Sequence, residues 1–335
     1  MRLSIIIVNF RSASLIIECL RSLYKQEQGS FLKFEVIIVD NDSGDDSKQV
    51  IMEKFPDVRW IQISYNSGFA RANNTGIKNA REEIVLLLNP DTLIENNAIA
   101  KCVEKLAASN YIAGGVQLLN LDKSPQISGN YFIQGGLNQL MALPYTGRFI
   151  RWLGYTFKVK KTNVPEAKGT VEVDWINGAF LMIKKEAIGN AGFMDEDFFL
   201  YFEEIEWCSR LRKIGKLCIY GDLHVVHLQG ASANEAFGST GQGYYNLYDR
   251  KGLQIMVSGL LRIRKQYGAV WFMFHLLFYL FNIPIFFFGV LLSLPFKPKM
   301  KFTFRQWSSY VKNCMKLLML SGRIIRNKPY FYKLL

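Results

Sequence analysis

Between Leu3 and Leu119, five short runs rich in apolar and β-branched residues, Leu3–Asn9, Glu35–Asp40, Arg59–Ser64, Glu83–Leu88 and Ala113–Leu119, alternate with segments of helical spacing. Ile16, Cys19, Leu20 and Leu23 share one helical face, and Ile99, Val103 and Leu106 share another. Runs that stay apolar at successive positions, instead of at every second one, belong to strands buried on both faces. Strands alternating with helices need crossover connections, which make neighbouring strands parallel. The expected fold is therefore α/β, a mostly parallel sheet with helices on both faces. No internal repeat or low-complexity segment breaks the pattern.

In such a sheet, ligands bind beyond the carboxyl ends of the strands. Those positions here are polar: Asn9 after the first strand, Asp40-Asn41-Asp42-Ser43 after the second, Asn66-Ser67-Gly68-Phe69-Ala70 after the third and Asn89-Pro90-Asp91-Thr92 after the fourth. A carboxylate at a strand end suits Mg²⁺ or Mn²⁺, which takes one or two protein carboxylates and fills its shell with phosphate oxygens. Asp91 fits that role and equally fits the cap of a helix beginning near Leu93. Asp40 carries the same two readings. The loop Asn9-Phe10-Arg11-Ser12 lacks G-x-G-x-x-G, which argues against a dinucleotide-dependent oxidoreductase.

Two later segments add chemistry. Residues 120–169, with Pro125, Gly129, Gly135, Gly136, Pro144 and Pro165, lose the strand–helix rhythm and read as loops or a flap. Order returns with Ala179–Ile183, a helix over about Ile205–Ile214, and two short strands, Leu217–Tyr220 and Val225–His227. Glu203 and Glu204 lie in the aromatic run FFLYFEEIEW, where desolvation would raise a carboxyl pKa and equip it as a general base. The same glutamates, with Glu206, also suit a helix N-terminus. His227 ends an apolar strand, and a lone histidine there is more often structural than a ligand.

The net charge of +13 is concentrated. From Lys251 onward there are 14 Lys and Arg and no Asp or Glu, which leaves 27 basic against 28 acidic residues before it. A basic tail beside the apolar stretch Val270–Leu294 points to an anionic membrane surface and away from nucleic acid. Asn282-Ile283-Pro284 divides that stretch into halves too short to cross a bilayer, and both flanks are basic. A re-entrant or in-plane hairpin at the cytoplasmic face is expected, with a single crossing through about residues 268–296 or a buried helical pair of a larger core as the alternatives. Phe304, Trp307, Val311, Cys314 and Leu318 repeat at the spacing of an interfacial helix. The five scattered cysteines form neither a disulfide framework nor a zinc motif and fit a reducing compartment, and the short run Leu3–Val8 reads as a strand, not a signal peptide.

Taken in order, IIIVNF, VDNDSGDDS, NSGFARANNTGI, LLLNPDT, WINGAFLMIKKEAI, FFLYFEEIEWCSRLRKIG and VVHLQGAS resemble the motifs of bacterial family-two inverting glycosyltransferases of the GT-A fold, rhamnosyltransferase-like branch, over roughly Leu3 to Ser232. The resemblance implies that Asn9, Asp40 and Asn41 hold the nucleotide's base and ribose, and that Asn66, Gly68, Phe69 and Asn73 line the nucleotide-sugar pocket. It makes Asp91 the last aspartate of a D-x-D metal motif whose first position is Asn89, and His227 the histidine that completes the metal shell around Mg²⁺ or Mn²⁺. Glu204 takes the catalytic-base position, beside Glu203, where the family has aspartate. Trp175, Gly178 and Ala179 fall at the acceptor and donor sugar site. The implied organisation is a GT-A domain over residues 1–242 and a membrane-associating helical region over 243–335. The implied reaction moves a sugar from a nucleotide-sugar donor, of the dTDP-rhamnose or UDP-hexose type, to a saccharide or polyprenyl-diphosphate-linked saccharide in cell-surface polysaccharide (O-antigen type) synthesis. A non-catalytic, membrane-docked nucleotide-binding scaffold is the alternative.

Overall fold

The computed structural model describes residues 2–27, 32–157, 164–228, 246–295 and 302–335. They divide into two compact units, one comprising Met1–Phe132, Asn163–Phe199 and Glu203–Ala236 and the other Ile133–Thr162, Leu200–Phe202 and Phe237–Leu335. The expected boundary at 242/243 and the end of VVHLQGAS lie outside the described residues.

The first unit is the α/β layer that the sequence predicts. Its strands are β1 (Arg2–Asn9), β2 (Lys33–Asp40), β3 (Arg59–Gln62), β4 (Ile84–Leu88), β5 (Thr92–Ile94), β6 (Tyr111–Leu119), β7 (Gly129–Asn130), β8 (Thr170–Val173), β9 (Trp175–Ile176), β10 (Phe180–Lys184) and β11 (Lys216–His227). Its helices are α1 (Ala13–Glu27), α2 (Ser47–Met52), α3 (Gly68–Asn79), α4 (Ala98–Ala107), α6 (Lys185–Ala191) and α7 (Glu203–Leu211), with α5 belonging to the second unit. The main sheet has the order β3-β2-β1-β4-β10-β6-β11-β5, with β8 also paired to β11, and β7 and β9 form a separate ribbon. β1 to β4 run parallel, and β10 enters antiparallel between β4 and β6.

Both faces of the central strands are covered, which is why their sequences do not alternate. Leu3, Ile5, Ile7, Val36, Ile38, Leu86 and Leu88 join one core with Ile16, Leu20 and Leu23 of α1 and Ile99, Val103 and Leu106 of α4. On the other face α3 approaches closely through small residues; a Cβ on Gly76 would lie 2.4 Å from Ile6 Cγ2. β3 departs from the expected two-faced burial, with Arg59, Trp60 and Ile61 only half-buried, because it is the edge strand.

Other local expectations change. The segment after Asp91 is strand β5, not a helix, because Thr92–Ile94 pairs antiparallel with Val225–His227; the helix α4 begins only at Ala98. Asp91 therefore caps no helix near Leu93. The two short strands foreseen at 217–220 and 225–227 are one strand, β11, interrupted by a shift in register between Tyr220 and His224. The stretch 120–169, read as loops, contains β7, a 3₁₀ segment Gln134–Ala142 and α5 (Thr146–Thr156).

The second unit is built on α8 (Arg250–Tyr267), α9 (Ala269–Ser293) and α10 (Phe304–Arg326). Every residue of α8 from Lys251 to Ile263 is buried. α9 runs without interruption through Pro284, so the expected break into two halves is absent. A proline inside a helix costs about 3 kcal/mol because it removes one backbone bond and crowds the preceding turn. Here α10 packs over that region, where Tyr310 donates to the Tyr279 carbonyl at 2.9 Å and the Trp307 indole to the Ile283 carbonyl at 3.1 Å. α9 is long and apolar enough to cross a membrane, and only 28% of its most apolar window of 18 residues is buried. All five cysteines are free and buried.

Leu86, fully buried in the middle of β4, tests the core. Leu86→Ala is expected to cost about 2–5 kcal/mol of unfolding free energy, measured by urea titration of the purified protein.

Candidate active site

Register places the first cluster. Asn9 pairs with Asp40, and Asp40 with Gln62, so three strands end side by side. The buried Asp40 carboxylate accepts from Asn9 Nδ2 (2.6 Å), Ser43 Oγ (2.6 Å), Ser43 N (3.1 Å) and Gln62 Nε2 (2.6 Å). Asn9 in turn accepts from Ser12 N through its Oδ1 at 3.1 Å. Asp40 thus braces the loops around it. Ser43 and Gln62 are partners that motif reading missed; their signal was position, since both lie at the carboxyl ends of paired strands.

Asn41 joins this cluster to the next loop. Its Oδ1 accepts from Ser67 N and Ser67 Oγ, each at 2.8 Å, while its Nδ2 donates to Asn66 Oδ1 at 3.1 Å and to the Gly68 carbonyl at 3.3 Å. Gly68 has φ +75°, and a Cβ there would fall 2.3 Å from the Phe199 carbonyl oxygen. Only glycine meets both conditions without strain. Phe69 N then donates to that same carbonyl at 2.8 Å, and Asn73 Nδ2 donates back to the Phe69 carbonyl at 2.9 Å. The start of α3 is thereby fixed to Phe199.

Gly178 sits where these pieces converge. A Cβ on it would lie 3.5 Å from Glu204 Cβ and Cγ and 3.8 Å from Phe69 Cε1. Its neighbour Ala179 accepts from Asn89 N at 3.0 Å, which joins the end of β4 to the residues before β10. Trp175 lies opposite Asn130 in the β7–β9 ribbon, three residues before Gly178.

The β5–β11 pairing sets His227 opposite Thr92, and Leu228 N donates to the Asp91 carbonyl at 2.9 Å. His227 Nε2 lies 3.5 Å from Asp91 Oδ1, with both residues buried. The other ring nitrogen, Nδ1, is 2.9 Å from Gln126 Oε1. Gln126 Nε2 donates to the His227 carbonyl and to Asn120 Oδ1, each at 2.7 Å, which fixes Oε1 as the acceptor facing the ring. Nδ1 therefore carries a proton, and in a neutral ring Nε2 points a lone pair at Asp91. Two ligands at right angles and about 2.1 Å from one ion sit about 3.0 Å apart, close to the spacing here. Asp91 Oδ1 and Asn89 Oδ1 are both buried without a hydrogen-bond partner, an arrangement that costs about 1–3 kcal/mol per group unless something else satisfies it. Among the described residues no three His, Cys, Asp or Glu side chains cluster for a metal, so a divalent cation held by this pair would need oxygens from a ligand to complete its shell. Gln126 accepts from Nδ1 as a carbonyl does beside ligating histidines and so orients the ring. Its position 101 residues from His227 left no signal in the sequence.

Glu203, Glu204 and Glu206 are all buried in the first turn of α7. Glu206 is held by Arg210, whose guanidinium meets it at 2.8 Å. Glu203 Oε2 has no hydrogen-bond partner, and burial, reinforced by the adjacent Glu204, raises its carboxyl well above the ordinary value. The helix-start reading of these glutamates holds, since all three lie in the first turn of α7.

Residues 4–165 match the family described as Glycosyl transferase family 2. That part of the chain belongs to the family. It is 30% identical over 235 residues to the low-salt glycan biosynthesis hexosyltransferase Agl10 of Haloferax volcanii, covering 66% of each chain. It is 25% identical over 202 residues to the N-acetylglucosaminyl-diphospho-decaprenol L-rhamnosyltransferase of Mycobacterium tuberculosis, covering 55% of this chain and 63% of the relative. The match thus spans just under two thirds of these relatives' length. The fold resembles that of S. aureus TarS in complex with UDP-GlcNAc, with a TM-score of 0.52 at 14% identity over 98% of this chain and 89% of the other.

The raised Glu203 carboxyl gives a pH prediction. Folded protein keeps this proton while unfolded chain releases it near the ordinary value of 4.5, so the stability it contributes is complete below 4.5 and falls as pH rises toward the folded-state pKa. Glu203→Gln is expected to flatten that fall, by up to about 1.4 kcal/mol per pH unit, in unfolding free energies measured across pH 4–8.

Proposed function

We propose that the protein is an inverting glycosyltransferase that moves a sugar from a nucleoside-diphosphate donor, of the dTDP-rhamnose or UDP-hexose type, to a saccharide or polyprenyl-diphosphate-linked saccharide. The observation that carries the reading is the alignment of the buried Asp91–His227 pair with the Asn89–Ala179 link, which continues through Gly178 to Glu204 and Phe69. The names of the similar proteins, a hexosyltransferase of glycan biosynthesis and a rhamnosyltransferase acting on a decaprenol-linked sugar, support the substrate classes. We assign residues 1–242 to the transferase domain and 243–335 to membrane association at the cytoplasmic face.

In this mechanism the loops carrying Asn9, Asp40, Asn41, Asn66 and Asn73 receive the nucleotide, and Gly68 and Phe69 form the floor near the sugar. Asp91 and His227 would hold Mg²⁺ or Mn²⁺, with Asn89 beside them, and such a cation when bound neutralises the charge on a departing diphosphate. Glu204 takes the proton from an acceptor hydroxyl. The hydroxyl oxygen bonds to the anomeric carbon from the face opposite the diphosphate as the bond to the diphosphate breaks, and the configuration inverts. Burial and the adjacent Glu204 raise the Glu203 carboxyl well above its ordinary range, which favours its protonated form beside the proposed base. Gly178 supports the same arrangement because any side chain there would meet Glu204.

The test is release of nucleoside diphosphate by the full chain from a panel of dTDP- and UDP-sugars, with and without Mn²⁺ or Mg²⁺. Metal-dependent release with one donor is expected; nucleotide binding without turnover on any donor would leave only a binding scaffold. Asp91→Ala should lower turnover by about 100-fold or more, the scale for removing an electrostatic stabiliser of the transition state. Gln126→Leu should weaken Mn²⁺ affinity by about 10–100-fold in calorimetric titration, because the imidazole loses the acceptor that fixes its tautomer.

A further inference from the structure

The helix α5 lies outside the basic tail, yet it belongs to the same compact unit. Of its eleven residues only Gly147 is buried. Phe149 and Trp152 are each 57% exposed, Tyr155 is 66% exposed, and Phe157 just beyond the helix is 75% exposed. Phe149 and Trp152 stack on one another with ring centroids 5.7 Å apart. A helix this short is marginal in water unless a packed face holds it. Four aromatic rings presented together form a patch that monomeric soluble surfaces rarely carry.

α5 is nevertheless firmly rooted. Tyr145, at φ 59°, packs its ring 6.0 Å from Phe286 and 5.4 Å from Phe302, and a Cβ on Gly289 would lie 2.6 Å from that ring. Thr146 Oγ1 donates to Asn282 Oδ1, and Gly147 N donates to the Leu143 carbonyl at 2.8 Å. The start of α5 is thus pinned to the C-terminal half of α9, the helix whose Phe281, Ile285, Phe288 and Leu292 are also exposed. Charge identifies what covers the patch. Arg148 and Arg151 stand among the rings, and the described residues of this unit hold 14 Lys and Arg against a single acid, Asp249.

We propose that α5 is a second membrane-docking element: it lies in the interface of an anionic bilayer beside α9, its aromatic rings at headgroup depth and Arg148 and Arg151 against lipid phosphates. Aromatic rings favour that depth, and long basic side chains keep their charge at the surface while their stems lie in the apolar region. This extends the membrane reading beyond residues 243–335 and does not depend on sugar transfer.

A local probe tests it even where α9 alone holds the protein to the bilayer. With an environment-sensitive fluorophore on Tyr155→Cys in the full chain, phosphatidylglycerol vesicles should shift its emission to the blue, and lipids brominated near the headgroup should quench it. Phosphatidylcholine vesicles should give a much smaller response. Arg148→Gln combined with Arg151→Gln should lower partition into phosphatidylglycerol vesicles, or raise the lipid needed for half of the spectral shift, about tenfold. An unchanged Tyr155→Cys signal while the same probe on Leu292→Cys responds would overturn the proposal. So would a concentration-dependent dimer, seen by sedimentation, that buries the probe without lipid. Nucleoside-diphosphate release with a water-soluble acceptor should be unaltered in the double arginine variant, so failure of docking and failure of the enzymatic reading are told apart.

Discussion

An antiparallel strand inserted among parallel ones has its amino-terminal end at its neighbours' carboxyl edge. β10 occupies that position between β4 and β6, and the residues that lead into it, Asn177 to Ala179, therefore meet the end of β4. The Asn89–Ala179 hydrogen bond is the direct product of this reversal. A parallel strand in the same place would have put Gly178 at the opposite edge of the sheet, away from the loops after β1 to β4. The burial of Leu181, Met182 and Ile183 in the core holds the reversal in place, so the apolar energy of the sheet is also what sets the site.

The second pairing, β5 against β11, does for charge what β10 does for shape. It brings a carboxylate and an imidazole within 3.5 Å in a buried position where neither can turn to water. Gln126 removes the remaining freedom of the ring by accepting from Nδ1, which turns Nε2 toward Asp91. A buried carboxylate oxygen without a hydrogen-bond partner is costly for the protein alone, and the proposed cation site rests on that cost. Glu203 shows the complementary case: burial beside Glu204 raises its carboxyl well above the ordinary range.

Much of this was legible in the sequence because it depends on local pattern. Strand ends, the polar residues after them and the glutamates at the start of α7 follow from periodicity and from where each run stops. The fate of Asp91 did not, since a three-residue strand has too little pattern to compete with the reading of aspartate as a helix cap; only the distant partner Val225–His227 decides it. Gln126 was invisible for the same reason. Pro284 misled in the other direction, because its local cost is real, but Tyr310 and Trp307 from α10 pack over the helix that carries it. In each case a contact remote in sequence overrides a correct local rule.

Leu200–Phe202 belongs to the helical unit, and the next residue is Glu203. Tyr201 and Phe202 both adopt positive φ, 72° and 70°, which for bulky residues is strained by about 1–3 kcal/mol each. Such a conformation persists only where its surroundings impose it. α8 does so: Ser258 Oγ donates to the Leu200 carbonyl at 2.7 Å, Lys251 lies 6.0 Å from the centre of the Tyr201 ring, and Arg262 lies 5.8 Å from that of Phe202. The buried Lys251 and Arg262 of α8 thereby hold the strained backbone of Leu200–Phe202 within the helical unit.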